Sequence, residues 1–128
     1  MKNLNQIRAQ YALRAAANKE FKGEKGGQVV KKVPTMIREN GFIGALAFAM
    51  EKKGGYIEVF EEMLKHLRDP RVGAIRSDTV SNAGKLLEYV CEGDSSRLRE
   101  VTAESMAYLS YLRRFATKGD SSDNNSNQ

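Results

Sequence analysis

The stretch Gln28–Gly55, QVVKKVPTMIRENGFIGALAFAMEKKGG, constrains the fold more than any other part of the chain. Val29, Val33, Met36 and Ile37 recur at i, i+4, i+7 and i+8, which gives a helix one apolar face. Lys31 and Arg38 fall roughly opposite that face. Asn40-Gly41 then reads as a helix stop, because both residues tolerate the left-handed conformation of a C-cap. Phe42–Met50 carries no charged or strongly polar side chain, so the next helix is expected to be a central core helix, with Phe48 inside. Pro34 removes one helical hydrogen bond and crowds the carbonyl of Val30, which predicts a kink or restart there.

The rest of the chain reads in the same helical period. A first helix is expected over Leu4–Glu20, with Leu4, Ile7, Tyr11 and Ala15 as its apolar positions. KGEKGG (Lys22–Gly27) is expected to be a flexible basic loop. Further on, Tyr56–Arg68 buries a stripe of Ile57, Phe60, Met63, Leu64 and Leu67, and Asp69-Pro70 ends it. After a loop over Arg71–Ser77, Asp78 is the expected N-cap of a helix running to Cys91. The longest helix is expected over Ser96–Lys118, with Leu98, Val101, Ser105, Tyr108, Leu112 and Phe115 in steps of three and four. The expectation is therefore an all-α chain: one compact bundle of about six helices over residues 1–118, then a disordered polar tail over 119–128 that has no apolar residue.

The net charge of +5 is unevenly placed. Residues 1–40 hold nine Lys/Arg against three Glu, whereas residues 71–128 hold eight of each sign. A one-sided basic field attracts polyanions through phosphate contacts and counterion release. Lys19, Lys22, Lys25, Lys31, Lys32 and Arg38 form a first cationic cluster. Arg113, Arg114 and Lys118 form a second, part of which complements the dipole of a helix C-terminus. No aromatic residue interleaves with the first cluster, so contact with a nucleic-acid backbone fits it better than base stacking.

Catalytic and cofactor patterns are missing from the sequence. His66 is the single histidine and is expected on a helix surface, paired with Glu62 rather than binding a metal. Cys91, the single cysteine, reads as a small buried hydrophobe and cannot form an intramolecular disulfide, which fits a reducing compartment. Glu61 and Glu62 are neighbours and point about 100° apart on a helix, so they do not form an acid/base pair. No phosphate-cradling or dinucleotide fingerprint is present. The expectation is no catalytic residue, no metal, no cofactor and no small-molecule substrate. No apolar run reaches the ~20 residues that span a bilayer, and MKNLNQIRAQ lacks a signal-peptide core, so the chain is expected in the cytoplasm, away from membranes.

Three segments carry a family resemblance: IRAQYAL (Ile7–Leu13), KKVPTMIRENGFIGALAFAMEKKG (Lys31–Gly54) and YLSYLRRFA (Tyr108–Ala116). In order and spacing the chain, from about Leu4 to Thr117, resembles the small all-helical subunit of the type III-B CRISPR effector, the Cmr complex. The resemblance implies a non-catalytic subunit that stacks with copies of itself in a short filament. Its other partners would be the remaining Cmr subunits, the CRISPR RNA and the target RNA, which a basic surface helps to hold. Position within the matching segments carries the RNA role to Lys31, Lys32 and Arg38. Two other readings stay open: a DNA-binding regulator with its turn at Asn40-Gly41, and a protein-only adaptor with a basic face.

Overall fold

A computed structural model describes residues 1–52 and 54–126, with the side chains of residues 117–126 left out. Its elements are α1 (Leu4–Ala15), a 3-10 turn (Lys19–Phe21), α2 (Gly23–Glu51), α3 (Tyr56–Leu67), α4 (Ala83–Glu92) and α5 (Ser95–Ser126). Among the described residues there is no strand, so the fold is all-α as expected. The expected disordered tail, Gly119–Gln128, falls largely on residues whose side chains lie outside the described set, as does Lys118.

Two local features set the course of α2. Gly41 has φ 80° and ψ 164°, a backbone that an L side chain rarely adopts, and the helix kinks there. The two limbs, residues 23–40 and 42–51, are the two helices expected on either side of Asn40-Gly41; counted separately they bring the helices to six. The expected kink at Pro34 is absent, since the helix passes through Pro34 with helical dihedrals and Gly41 alone departs. KGEKGG is also not a loop. Helix α2 begins at Gly23, and a Cβ on Gly26 would lie 2.5 Å from the carbonyl carbon of Phe21. The missing side chain at Gly26 is what lets the 3-10 turn lie against the first turns of α2 with Phe21 buried.

Side-chain capping explains two more boundaries. In α1, Asn3 accepts from the Gln6 amide at 2.9 Å while the Gln6 side chain accepts from the Asn3 amide at 2.8 Å. The helix ends at Ala15 rather than Glu20, and Asn18 caps the following turn by accepting from the Glu20 amide. The next correction concerns α4, which starts at Ala83 with Asn82 as its N-cap, not at Asp78. The Glu61 carboxylate also accepts from the Ala83 amide at 3.2 Å, placing negative charge at the positive end of the α4 dipole.

The antiparallel packing of α2 and α3 follows from two edge-to-face aromatic pairs, Phe42–Phe60 and Phe48–Tyr56. Helix α1 packs on α3 and α5, and α4 packs on α2, α3 and α5. The core at their junction includes Val30, Val33, Leu46, Phe60, Met63, Leu67, Leu86, Val101, Tyr108, Leu109 and Leu112. Of the stripe expected in α3, Phe60, Met63, Leu64 and Leu67 are buried, and Ile57 is half-buried.

The second limb of α2 differs from its expected role. Phe42, Ala45, Leu46 and Ala49 are buried, but Phe48 is 40% and Met50 46% exposed. It is a one-sided helix whose outer face is apolar. Cys91 is exposed on α4 rather than buried.

Candidate nucleic-acid interface

The first limb of α2 turns its apolar residues inward and its cations outward. Val29, Val30, Val33 and Ile37 are buried, while Lys25, Lys31, Lys32 and Arg38 are exposed together with Glu24, Gln28, Thr35 and Glu39. At 3.6 residues per turn the exposed residues fill an arc of about 140°, with Lys25 and Lys32 near one edge and Lys31 and Arg38 near the other. Each of those pairs is seven residues apart, about 10 Å along the axis. The result is two short rows of positive charge with polar residues between them. Lys19 in the 3-10 turn and Lys22 before α2 are exposed too and continue the basic surface toward the helix start. Arg113 and Arg114 are exposed on α5 and belong to a separate patch.

Among the described residues, none of these eight cations makes an ion pair. Arg38 donates to Thr35 Oγ1 at 3.3 Å, a contact within its own helix. The row is therefore convex, solvated and uncommitted, a surface suited to a charged polymer.

A second set of charges behaves in the opposite way and was not legible in the sequence. Arg8 of α1 forks onto Glu104 of α5, with Nε–Oε2 at 2.7 Å and Nη2–Oε1 at 2.8 Å. His66 of α3 is fully buried, and its Nε2 lies 2.8 Å from Glu104 Oε2. It is thus paired with Glu104, not with Glu62, and it is not a surface residue. Glu62 instead accepts from Lys65 at 3.0 Å. The His66 ring stacks on Tyr108 at 5.2 Å and meets the edge of Tyr11 at 5.5 Å. Tyr11 donates its hydroxyl hydrogen to Asp69 at 2.7 Å, and Arg71 forks onto the same carboxylate. Three helices and the loop after α3 are thereby clasped by one polar network.

The network moves the ionisation of its members. Burial pushes the His66 imidazole down, outweighing the pull of Glu104 in the other direction. The ring is then neutral at pH 7, with its Nε2 hydrogen donated to Glu104. Burial alone would raise Glu104, but the hydrogen bonds from Arg8 and His66 outweigh it and hold the carboxyl below its usual value. The Arg71 guanidinium holds Asp69 well below the usual carboxylate range. Burial pushes the Tyr108 phenol far up.

The clefts beside this network are small and carry both charge signs. One of about 370 Å³ lies between Arg8, Arg76, Glu100 and Glu104. Two arginines facing two carboxylates do not make a polyanion site. Among the described residues no group of three or more His, Cys, Asp or Glu could hold a metal ion. No helix is long and apolar enough to cross a membrane among those residues.

A family model described as CRISPR-associated protein (Cas_Cmr5) matches residues 4–118. The chain belongs to the Cmr5 family. It is therefore a Cmr-type small subunit, as the three sequence segments imply. A crystal structure of a CRISPR-associated Cmr5 family protein from Thermus thermophilus superposes with a TM-score of 0.71 at 23% identity, covering 92% of this chain and 97% of that one. At that identity the likeness shows the fold. Comparison with curated proteins gives no match. The family match spans all eight candidate cations, from Lys19 to Arg114, and both limbs of α2.

Proposed function

We propose that this Cmr5-family chain is a non-catalytic, cytoplasmic subunit of the type III-B effector that stacks with copies of itself and holds the backbone of target RNA beside the CRISPR RNA. The observation that carries the RNA part is the exposed row Lys25, Lys31, Lys32 and Arg38 on the first limb of α2, extended by Lys19 and Lys22. Cations without a carboxylate partner can neutralise phosphates without first breaking an ion pair. The surface offers no aromatic platform among them, so contact is to the backbone and tolerates any sequence. Arg113 and Arg114 form a second, smaller contact on α5.

The regulator reading loses its support at the kink. The limb after Gly41 exposes Gly44, Phe48, Met50 and Glu51, where a recognition helix would need polar side chains aimed at base edges.

The test is charge reversal of Lys31, Lys32 and Arg38 together, with target-RNA retention by the reconstituted effector as the readout. Retention should fall and its salt dependence should flatten, while assembly with the other subunits persists. Unchanged retention would remove the α2 surface from the RNA path.

A further inference from the structure

The outer face of the second α2 limb is apolar and continues onto α4. Gly44 and Ala47 lie along its middle, with Phe48 on one side and Ile43 and Met50 on the other. The Met50 methyl reaches α4, lying 4.0 Å from where a Cβ on Gly84 would be. From Gly84 the half-buried Leu87 and the exposed Cys91 follow at i+3 and i+7, on one side of α4. The surface is a shallow trough of small residues between larger apolar walls, the shape into which a neighbouring helix places a protruding side chain. Its rim carries Glu51, Glu88 and Glu92, all exposed.

A matching protrusion exists on the same chain. Leu13 on α1 is 63% exposed; apart from Met1 at the chain start, the other large apolar side chains exposed among the described residues are Phe48 and Met50. Helix α1 contains no carboxylate, and Arg14 stands exposed beside Leu13. The protrusion is thus ringed by positive charge and the trough by negative charge, a complementarity that orients an encounter. Helices α3 and α5 lie between α1 and α4, so the two surfaces face away from one another. They cannot meet within one molecule.

We infer that Leu13 of one copy docks in the Phe48–Met50–Leu87 trough of the next, giving a head-to-tail contact that repeats without closing. The inference rests on the self-stacking part of the proposed function and supplies the two surfaces it needs.

Two single-face variants of the full chain test it: Leu13→Glu, which spoils the protrusion, and Phe48→Glu, which spoils the trough. Sedimentation velocity over a range of concentrations is the readout, after thermal melting confirms that each variant folds. Phe48→Ser takes the place of Phe48→Glu if the latter melts early. Wild-type protein should form progressively larger species as concentration rises, and each variant alone should stay monomeric. An equimolar mixture should give dimers and nothing larger, because one intact protrusion meets one intact trough. A wild-type chain that stays monomeric at its solubility limit overturns the contact. So does growth that survives either variant, or a mixture that fails to pair. RNA retention measured on the Lys31, Lys32 and Arg38 reversal separates the two claims. Normal growth of that variant with no change in RNA retention would sink the RNA surface and leave this contact standing.

Discussion

Two sets of charges in this molecule have opposite fates. Arg8, His66, Asp69, Arg71 and Glu104 are drawn into one network that joins α1, α3, the loop after α3 and α5. Lys25, Lys31, Lys32 and Arg38 stay in solvent on α2 and, among the described residues, pair with no carboxylate. The difference is one of desolvation. A charge removed from water must be paired and hydrogen-bonded, so the first set is committed to holding the fold. A charge left in water costs the fold little and remains free for a ligand. Loss of a member should therefore be read out in stability for the first set and in binding for the second.

The largest effect should come from Glu104. It is the shared acceptor of Arg8 and His66, and its side chain is 11% exposed. Glu104→Ala leaves a guanidinium and a buried imidazole facing an empty site and should cost about 3–5 kcal/mol. Thermal melting checks this. A cost near zero would show that the network is decoration on an apolar junction. A Glu104→Ala/Arg8→Ala cycle sharpens the result, because it separates the pair from the penalty of an orphaned arginine.

Acid should act on the same network. His66 has a folded pKa below its unfolded value, so stability is lost as pH falls below about 6.5, where the unfolded ring takes up a proton that the folded one resists. Asp69 and Glu104 are also depressed, so their contribution is present above the unfolded carboxylate range and is lost as pH falls toward their folded values. All three shifts have the same sign, and the melting temperature should decline in two stages, near pH 6 and again below about pH 4. His66→Phe should remove the upper stage and leave the lower one. A flat profile between pH 7 and 5 in the wild type would contradict the burial of His66.

Phe48 gives a smaller effect. It meets Tyr56 edge-to-face at 5.4 Å, and Lys52 Nζ lies 5.6 Å from its ring centre, but much of it is in solvent. Phe48→Ala should cost about 1 kcal/mol rather than the ~3–5 of a buried phenylalanine, because no cavity is left behind. Phe60→Ala, at a fully buried position in the same aromatic set, is the internal standard and should fall in the upper range. Equal losses at the two positions would mean that the outer face of α2 is covered in the isolated chain.

What the sequence could and could not show divides along the same line. Apolar spacing located α3 and the buried stripe of α5, and Asn40-Gly41 marked the turn in α2, because these signals are local. His66 and Glu104 lie 38 residues apart and no spacing rule links them, so the histidine was placed on the surface. Gly26 carried no readable sign of its contact with Phe21, and KGEKGG looked like a loop for that reason. Phe42–Met50 misled differently. A helix without charges is what both a core position and an uncovered docking face look like, and only its neighbours decide between them. The basic face was legible as a surface because charge placement needs no tertiary information, although its arc on α2 became visible only with the helix start at Gly23.

The smallest effect on the fold should accompany the largest effect on binding. Reversing Lys31, Lys32 and Arg38 touches exposed side chains whose only mutual support is the Arg38–Thr35 contact, and it should change stability by no more than about 0.5 kcal/mol. On single-stranded RNA the same change should flatten the log–log salt dependence by roughly two, since each lost phosphate contact removes about 0.7 of slope. Reversing Arg113 and Arg114 should remove less, and in proportion. If melting drops by several kcal/mol while the salt slope stays put, the α2 cations belong with the clamp rather than with the ligand. The contrast between committed and uncommitted charge would then fail at its basic end.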